Sequence, residues 1–189
     1  MRIEKLRQNF DVDIRLVHFP LHPETPDEGR TLEELFAGRN TDIKASYDRM
    51  KGLMDIEGLP YGQRTHTYNS RLAQETGKWA DTQPGGGDAI HDAFYRAYFV
   101  DAKNISNRQV ILDIVKSAGL DVDAAAWMLD ERSFKDAVDA DWAKSHQYGV
   151  TGVPTFAAAG MGVFGAQPYE ALEQLMNQAI AKQTAEAGV

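Results

Sequence analysis

Strand-like patterning occurs in only two stretches of this chain, and they lie near its opposite ends. In residues 11–19, Val12, Ile14 and Leu16 alternate with Asp11, Asp13 and Arg15, a period-two pattern that Pro20 and Pro23 end. In residues 155–164, Thr155 and Phe156 open an apolar run, glycines interrupt it, and Val163 and Phe164 resume it. Pro154 stands at the start of that second strand, where a missing N–H does least harm to a ladder. Between the two stretches the apolar period is helical. Strands at both ends with helices between them describe a small α/β core interrupted by an all-helical insertion. The division expected is residues 1–30 and 145–189 for the core and 31–144 for the insertion.

The helical readings follow from periodicity and caps. Ile3, Leu6 and Phe10 share one face at the start of the chain, with no capping residue ahead of them. Thr31 and Glu34 have the spacing of a capping box and open a short helix to Phe36. Residues 41–57 place Ile43, Tyr47, Met50, Leu53, Met54 and Ile56 on one apolar side. Residues 67–79 are expected to be helical, as are 89–99, where Phe94, Tyr95, Tyr98 and Phe99 form an aromatic stripe facing the core. Ser106 or Asn107 caps the next helix and Gly119 stops it. Helices over 121–129 and 133–148 follow, their acids read as a solvated face. After Pro168 a last helix, 169–181, buries Leu172, Leu175, Met176 and Ile180.

Several kinds of chemistry find no support. The formal net charge is −8, with no basic cluster, which argues against nucleic acid or an anionic membrane as partner. No apolar run is long enough to span a bilayer, and the first residues lack the apolar core of a signal peptide, so a cytoplasmic location is expected. The five histidines show no metal-ligand spacing, and no metal site is assigned. Gly160, Gly162 and Gly165 fit G-x-G-x-x-G, but only one helix and a tail follow, so they read as turn glycines rather than a dinucleotide loop. There is no G-x-S-x-G. There is also no cysteine, which removes thiolate catalysis and cysteine-ligated metals from these residues.

Gly152-Val153-Pro154-Thr155-Phe156, with the glycine turn and last helix after it, resembles the C-terminal half of a thioredoxin fold. The likeness widens to Val17-His18-Phe19-Pro20, Tyr68-Asn69-Ser70, residues 94–99, residues 117–121 and Phe164-Gly165-Ala166-Gln167-Pro168. Order and spacing together resemble the DsbA family. The nearest likeness is to its FrnE-like branch, related to 2-hydroxychromene-2-carboxylate isomerases and kappa-class glutathione transferases.

The resemblance implies an α/β thioredoxin-like fold with a large helical insertion, lacking the usual first strand. It implies a cis Val153–Pro154 bond and a substrate loop of Thr151, Gly152, Val153 and Pro154, with Phe19 and Gln167 lining the groove. Family members carry a strand and a C-x-x-C, or a catalytic serine, before the point where this chain starts. A gene-start error is the expected explanation, and the upstream reading frame tests it. No catalytic residue is therefore assigned.

The function implied is that of a thiol–disulfide oxidoreductase relative, inactive as it stands, acting toward a thiol or disulfide protein or peptide. Two alternatives stand beside it. One is a relative of glutathione-dependent isomerases or transferases, with glutathione as cofactor and the N-terminus of the last helix, at Gly165, Ala166 and Gln167, receiving its carboxylate. The other is a non-catalytic peptide-binding or assembly module, with a homodimer formed through exposed sheet edges.

Overall fold

A computed structural model describes residues 2–188. The chain divides into two compact units, residues 22–140 and residues 1–21 with 141–189. The first boundary falls at Leu21 rather than near residue 30. The loop after it is hydrogen-bonded into the helical unit: Asn69 Nδ2 donates to the Thr25 carbonyl at 2.8 Å, and Leu32 N–H to the Thr65 carbonyl at 2.9 Å.

Within residues 22–140, α2 (Leu32–Leu35) begins with the capping box at Thr31 and Glu34, both reciprocal bonds present. It is preceded by β1 (Arg30–Thr31), which pairs antiparallel with β2 (His66–Thr67). This short ladder is a departure from the helix expected from residue 67. That helix, α4 (Arg71–Ala80), starts four residues later because Thr67 is committed to Arg30.

The helix α3 (Ile43–Ile56) forms as its period predicts, capped by Asp42, yet none of its residues is buried and Leu53 and Ile56 stand in solvent. Periodicity located the apolar side, which is only partly covered: Tyr47 stacks on Tyr61 at 5.8 Å, and the Tyr95 hydroxyl donates to Met54 Sδ at 3.7 Å. Helices α5 (Gly86–Tyr95), α6 (Arg108–Ser117) and α7 (Val122–Glu131) pack with α4 around Ile90, Ile111, Val115, Ala125 and Met128. Asn107 and Asp121 accept from the first free N–H groups of α6 and α7.

The aromatic stripe does not continue α5. Residues Arg96–Val100 form a π-helical turn. There Tyr98 and Phe99 meet edge to face at 4.7 Å, and Tyr61 stacks on Phe99 at 6.2 Å. Gly62 sits where a Cβ would overlap the Val100 carbonyl, so the close approach requires glycine.

Helix α8 (Lys135–Gln147) leads into the second unit, which also contains α1 (Arg2–Asn9). The unit's sheet is a hairpin, β3 (Thr155–Ala158) against β4 (Met161–Phe164), with Thr155 opposite Phe164 and Ala158 opposite Met161. Ala159 and Gly160 turn it with φ of 49° and 78°, the positive-φ pair of a tight hairpin. Leu6 of α1 and Tyr169 and Leu172 of α9 (Tyr169–Glu186) are its buried centre, with Ile3, Phe10, Phe156, Val163 and Met176 packed against them. Ile180, expected inside, is exposed.

The clearest correction concerns residues 11–19, which form no strand. Val12 and Ile14 are half-buried between exposed Asp11, Asp13 and Arg15, as the alternation predicts. No strand pairs with them among the described residues, and alternation without a neighbouring ladder leaves extended coil. Leu16 and Val17 are exposed, and the His18 N–H donates instead to the Asp141 carboxylate at 2.9 Å. Asp141 is accordingly buried, not part of a solvated acidic face.

Candidate functional site: the loop before β3

Helix α8 ends at Gln147, and Gly149 takes a φ of 68°, turning the chain out of the helix. The Val150 N–H caps the turn on the Ser145 carbonyl at 3.0 Å. Residues 151–154 then cross to β3 without regular structure. Two bonds hold this loop. The Thr155 hydroxyl donates to the Gly152 carbonyl at 2.7 Å, and the Gly165 N–H donates to the Pro154 carbonyl at 2.8 Å. The Val153–Pro154 peptide is cis.

Val153 lies between those two anchors with 53% of its surface exposed. Its N–H and C=O make no hydrogen bond among the described residues. Thr151 and Pro154 are exposed as well, and Gly152 is half-exposed. A peptide group held in place yet unpaired, beside the first residue of a strand, offers one donor and one acceptor to an extended chain.

The remaining predicted site residues, Gln167 and Phe19, lie outside this loop. Gln167 braces the turn before α9: its side-chain amide donates to the Phe164 carbonyl at 2.9 Å, and its N–H to the Gly165 carbonyl at 2.8 Å. The Arg2 guanidinium donates to the carbonyls of Ala166 and Gln167 at 3.1 and 2.5 Å. With Gly165 N–H also engaged, Ala166 has the one uncommitted amide of the three proposed for a glutathione carboxylate. Phe19 is half-buried in the extended segment and its carbonyl accepts from Leu21 N–H. The Pro154–Gly165 bond joins the loop to the turn that holds Gln167.

A second polar centre, in the helical unit, escaped the sequence reading. Glu75 is wholly buried and accepts from Arg71 Nε at 2.7 Å and from Arg132 through two bonds of 2.7 Å. Arg71 also pairs with Asp139 at 2.7 Å and donates to the Lys135 carbonyl at 2.8 Å. Burial raises the Glu75 pKa, but the hydrogen bonds from Arg132 and Arg71 outweigh it and hold the carboxyl below its ordinary value. The Arg71–Glu75 spacing of i,i+4 was visible in the sequence. Arg132, which completes the centre, comes from the end of α7, and no local pattern signals it. No group of three or more His, Cys, Asp or Glu among the described residues is placed to hold a metal ion.

Comparison with known proteins fits this architecture. The model of the DSBA-like thioredoxin domain matches residues 1–177. The chain belongs to that family, and its fold is a thioredoxin-like α/β core with a helical insertion. A probable DsbA oxidoreductase from Streptomyces coelicolor is similar in structure with a TM-score of 0.84 and 27% sequence identity, over 95% of this chain and 82% of that one. A 2-hydroxychromene-2-carboxylate isomerase shares the fold with a TM-score of 0.71 at 18% identity, over 98% of this chain and 90% of the other. No curated protein matches significantly.

Proposed function

We propose that this protein is a relative of thiol–disulfide oxidoreductases, of the FrnE-like branch, in which Thr151, Gly152, Val153 and Pro154 receive an extended peptide. The observation that carries the reading is the unpaired, half-exposed Val153 peptide group, held on both sides by the Gly152 and Pro154 carbonyl anchors. A substrate strand pairing there uses main-chain bonds, which tolerate varied sequence. Disulfide exchange needs an attacking thiolate. The 189 residues contain no cysteine, so they bind and do not exchange. Glutathione has less support, because the amides of Gly165 and Gln167 are already engaged.

Two measurements test this. In an insulin-reduction assay the protein as sequenced shows no turnover above the dithiothreitol control; clear turnover overturns the inactive reading. In an NMR titration with an unstructured peptide carrying a mixed disulfide, the shifts centre on residues 151–154. Val153→Pro, which removes the free N–H, weakens binding about fivefold to tenfold, the loss of one hydrogen bond. Equal binding by that variant sinks the assignment of the loop.

A further inference from the structure

The helical unit contains a pocket of about 200 Å³ lined by Asp27, Asn69, Arg71, Leu72, Ser106 and Arg132. Most of its polar lining is already committed. Asn69 donates to the Thr25 carbonyl and accepts from Arg71 N–H, and the Ser106 hydroxyl donates to the Asp27 carbonyl and to Asn104. Arg71 is engaged by Glu75, Asp139 and the Lys135 carbonyl.

Two charged groups of opposite sign, which attract one another across the pocket, keep unused hydrogen-bonding capacity. Arg132 uses Nε and one terminal nitrogen on buried Glu75, and its Nη1 has no partner among the described residues. Asp27 is held by its main-chain carbonyl, while its carboxylate has no hydrogen bond or ion pair. The side chain of Arg132 is 42% exposed, and its Nε and Nη2 are fixed by a carboxylate that is itself 0% exposed. Arg132 also takes a φ of 52°, a backbone conformation that glycine adopts at lower cost, at the end of α7. The free nitrogen is therefore presented by a rigid support.

The charges decide what fits. Of the lining residues Arg71 is neutralised by Asp139 and the Arg–Glu–Arg centre, leaving one guanidinium face and one carboxylate. A bare anion would meet the Asp27 carboxylate, and a bare cation would meet the Arg132 guanidinium. We propose that this pocket binds a small zwitterion of the α-amino-acid class, its carboxylate on Arg132 Nη1 and its ammonium on the Asp27 carboxylate. A guanidinium–carboxylate contact and an ammonium–carboxylate contact are both charge-assisted, and a partly enclosed pocket screens them less than open surface does. Leu72 supplies the one apolar wall, which suits a small aliphatic side chain.

The test uses the full chain and three probes: glycine, acetate and methylammonium, followed by amide and arginine side-chain NMR. Glycine is expected to saturate in the millimolar range, with shifts at Asp27, Ser106 and the Arg132 Nε–H. Acetate and methylammonium, each satisfying one charge, bind about tenfold more weakly, the effect of losing one charged hydrogen bond. Asp27→Asn, an exposed change away from the Glu75 centre, reduces glycine binding to the level of acetate. Alanine binds at least as well as glycine. Acetate binding as tightly as glycine, Asp27→Asn leaving glycine binding intact, or shifts without saturation overturns the proposal.

Discussion

The two units of this molecule solve burial in opposite ways. The helical unit closes a core in which Ala80, Ile90, Ile111, Val115, Ala125 and Val138 are wholly inaccessible and Met128 nearly so, while Leu53, Ile56 and Trp127 stay exposed at its surface. Among the described residues, the unit formed by the chain ends buries only Leu6, Tyr169, Leu172, Leu175 and Ala179 of its apolar side chains, and leaves Leu16, Val17, Leu21, Tyr148, Val153, Phe164 and Ile180 exposed. Helices satisfy their own backbone, so four of them close a core wherever their stripes meet. A hairpin satisfies only its inner edges, and an extended segment satisfies none without a neighbour. The open unit is also the one with the unpaired Val153 peptide group. The most tightly closed core and the unpaired Val153 peptide group thus lie in different units.

The sharpest way to break this contrast is at Glu75. Glu75→Ala strips two guanidiniums of a buried partner, and its expected cost is about 3–5 kcal/mol in urea unfolding. Because the folded carboxyl has a lowered pKa, its contribution is complete above the ordinary carboxylate range and disappears as pH falls through the folded value. The gap between the native chain and Glu75→Gln therefore narrows on acidification. A gap that is constant with pH contradicts the ion-pair account.

Next comes packing. Ile111→Ala opens a cavity in the closed core and should cost about 2–5 kcal/mol. Phe164→Ala, on the exposed strand of the open unit, should change stability by no more than about 0.5 kcal/mol. Thermal or urea unfolding of the pair checks this, and similar losses from both would erase the contrast between the units. The smallest effect is at a cap. Asp121→Ala frees two N–H groups of α7 and should cost about 1 kcal/mol.

The local devices were legible in the sequence. Thr31 with Glu34, a cap at Ser106 or Asn107, and the stop at Gly119 all depend on residues within a few positions of one another. So does the helix stripe of Ile111, Ile114 and Val115. The loop at 151–154 was legible as a motif, through its likeness to a family. What failed did so where a partner distant in sequence decides. Residues 11–19 alternate correctly and make no strand, and Thr67 left its expected helix for a ladder with Arg30. The π-helical turn at 96–100 also has no periodic signature, since one stripe serves α and π geometry alike over so few residues.

The sequence by itself determined that helices fill the middle of the chain, several of their caps and stops, the hairpin strands within 155–164, and that no thiolate exists within it. Those follow from short-range hydrogen bonding, period and composition. Only the tertiary structure decided which apolar faces are covered, that Ile90 is enclosed while Ile56 stands in solvent, and that Arg132 closes on Glu75 from 57 residues away. Burial and ion pairing are properties of neighbours in space, and the chain specifies those neighbours only once it has folded.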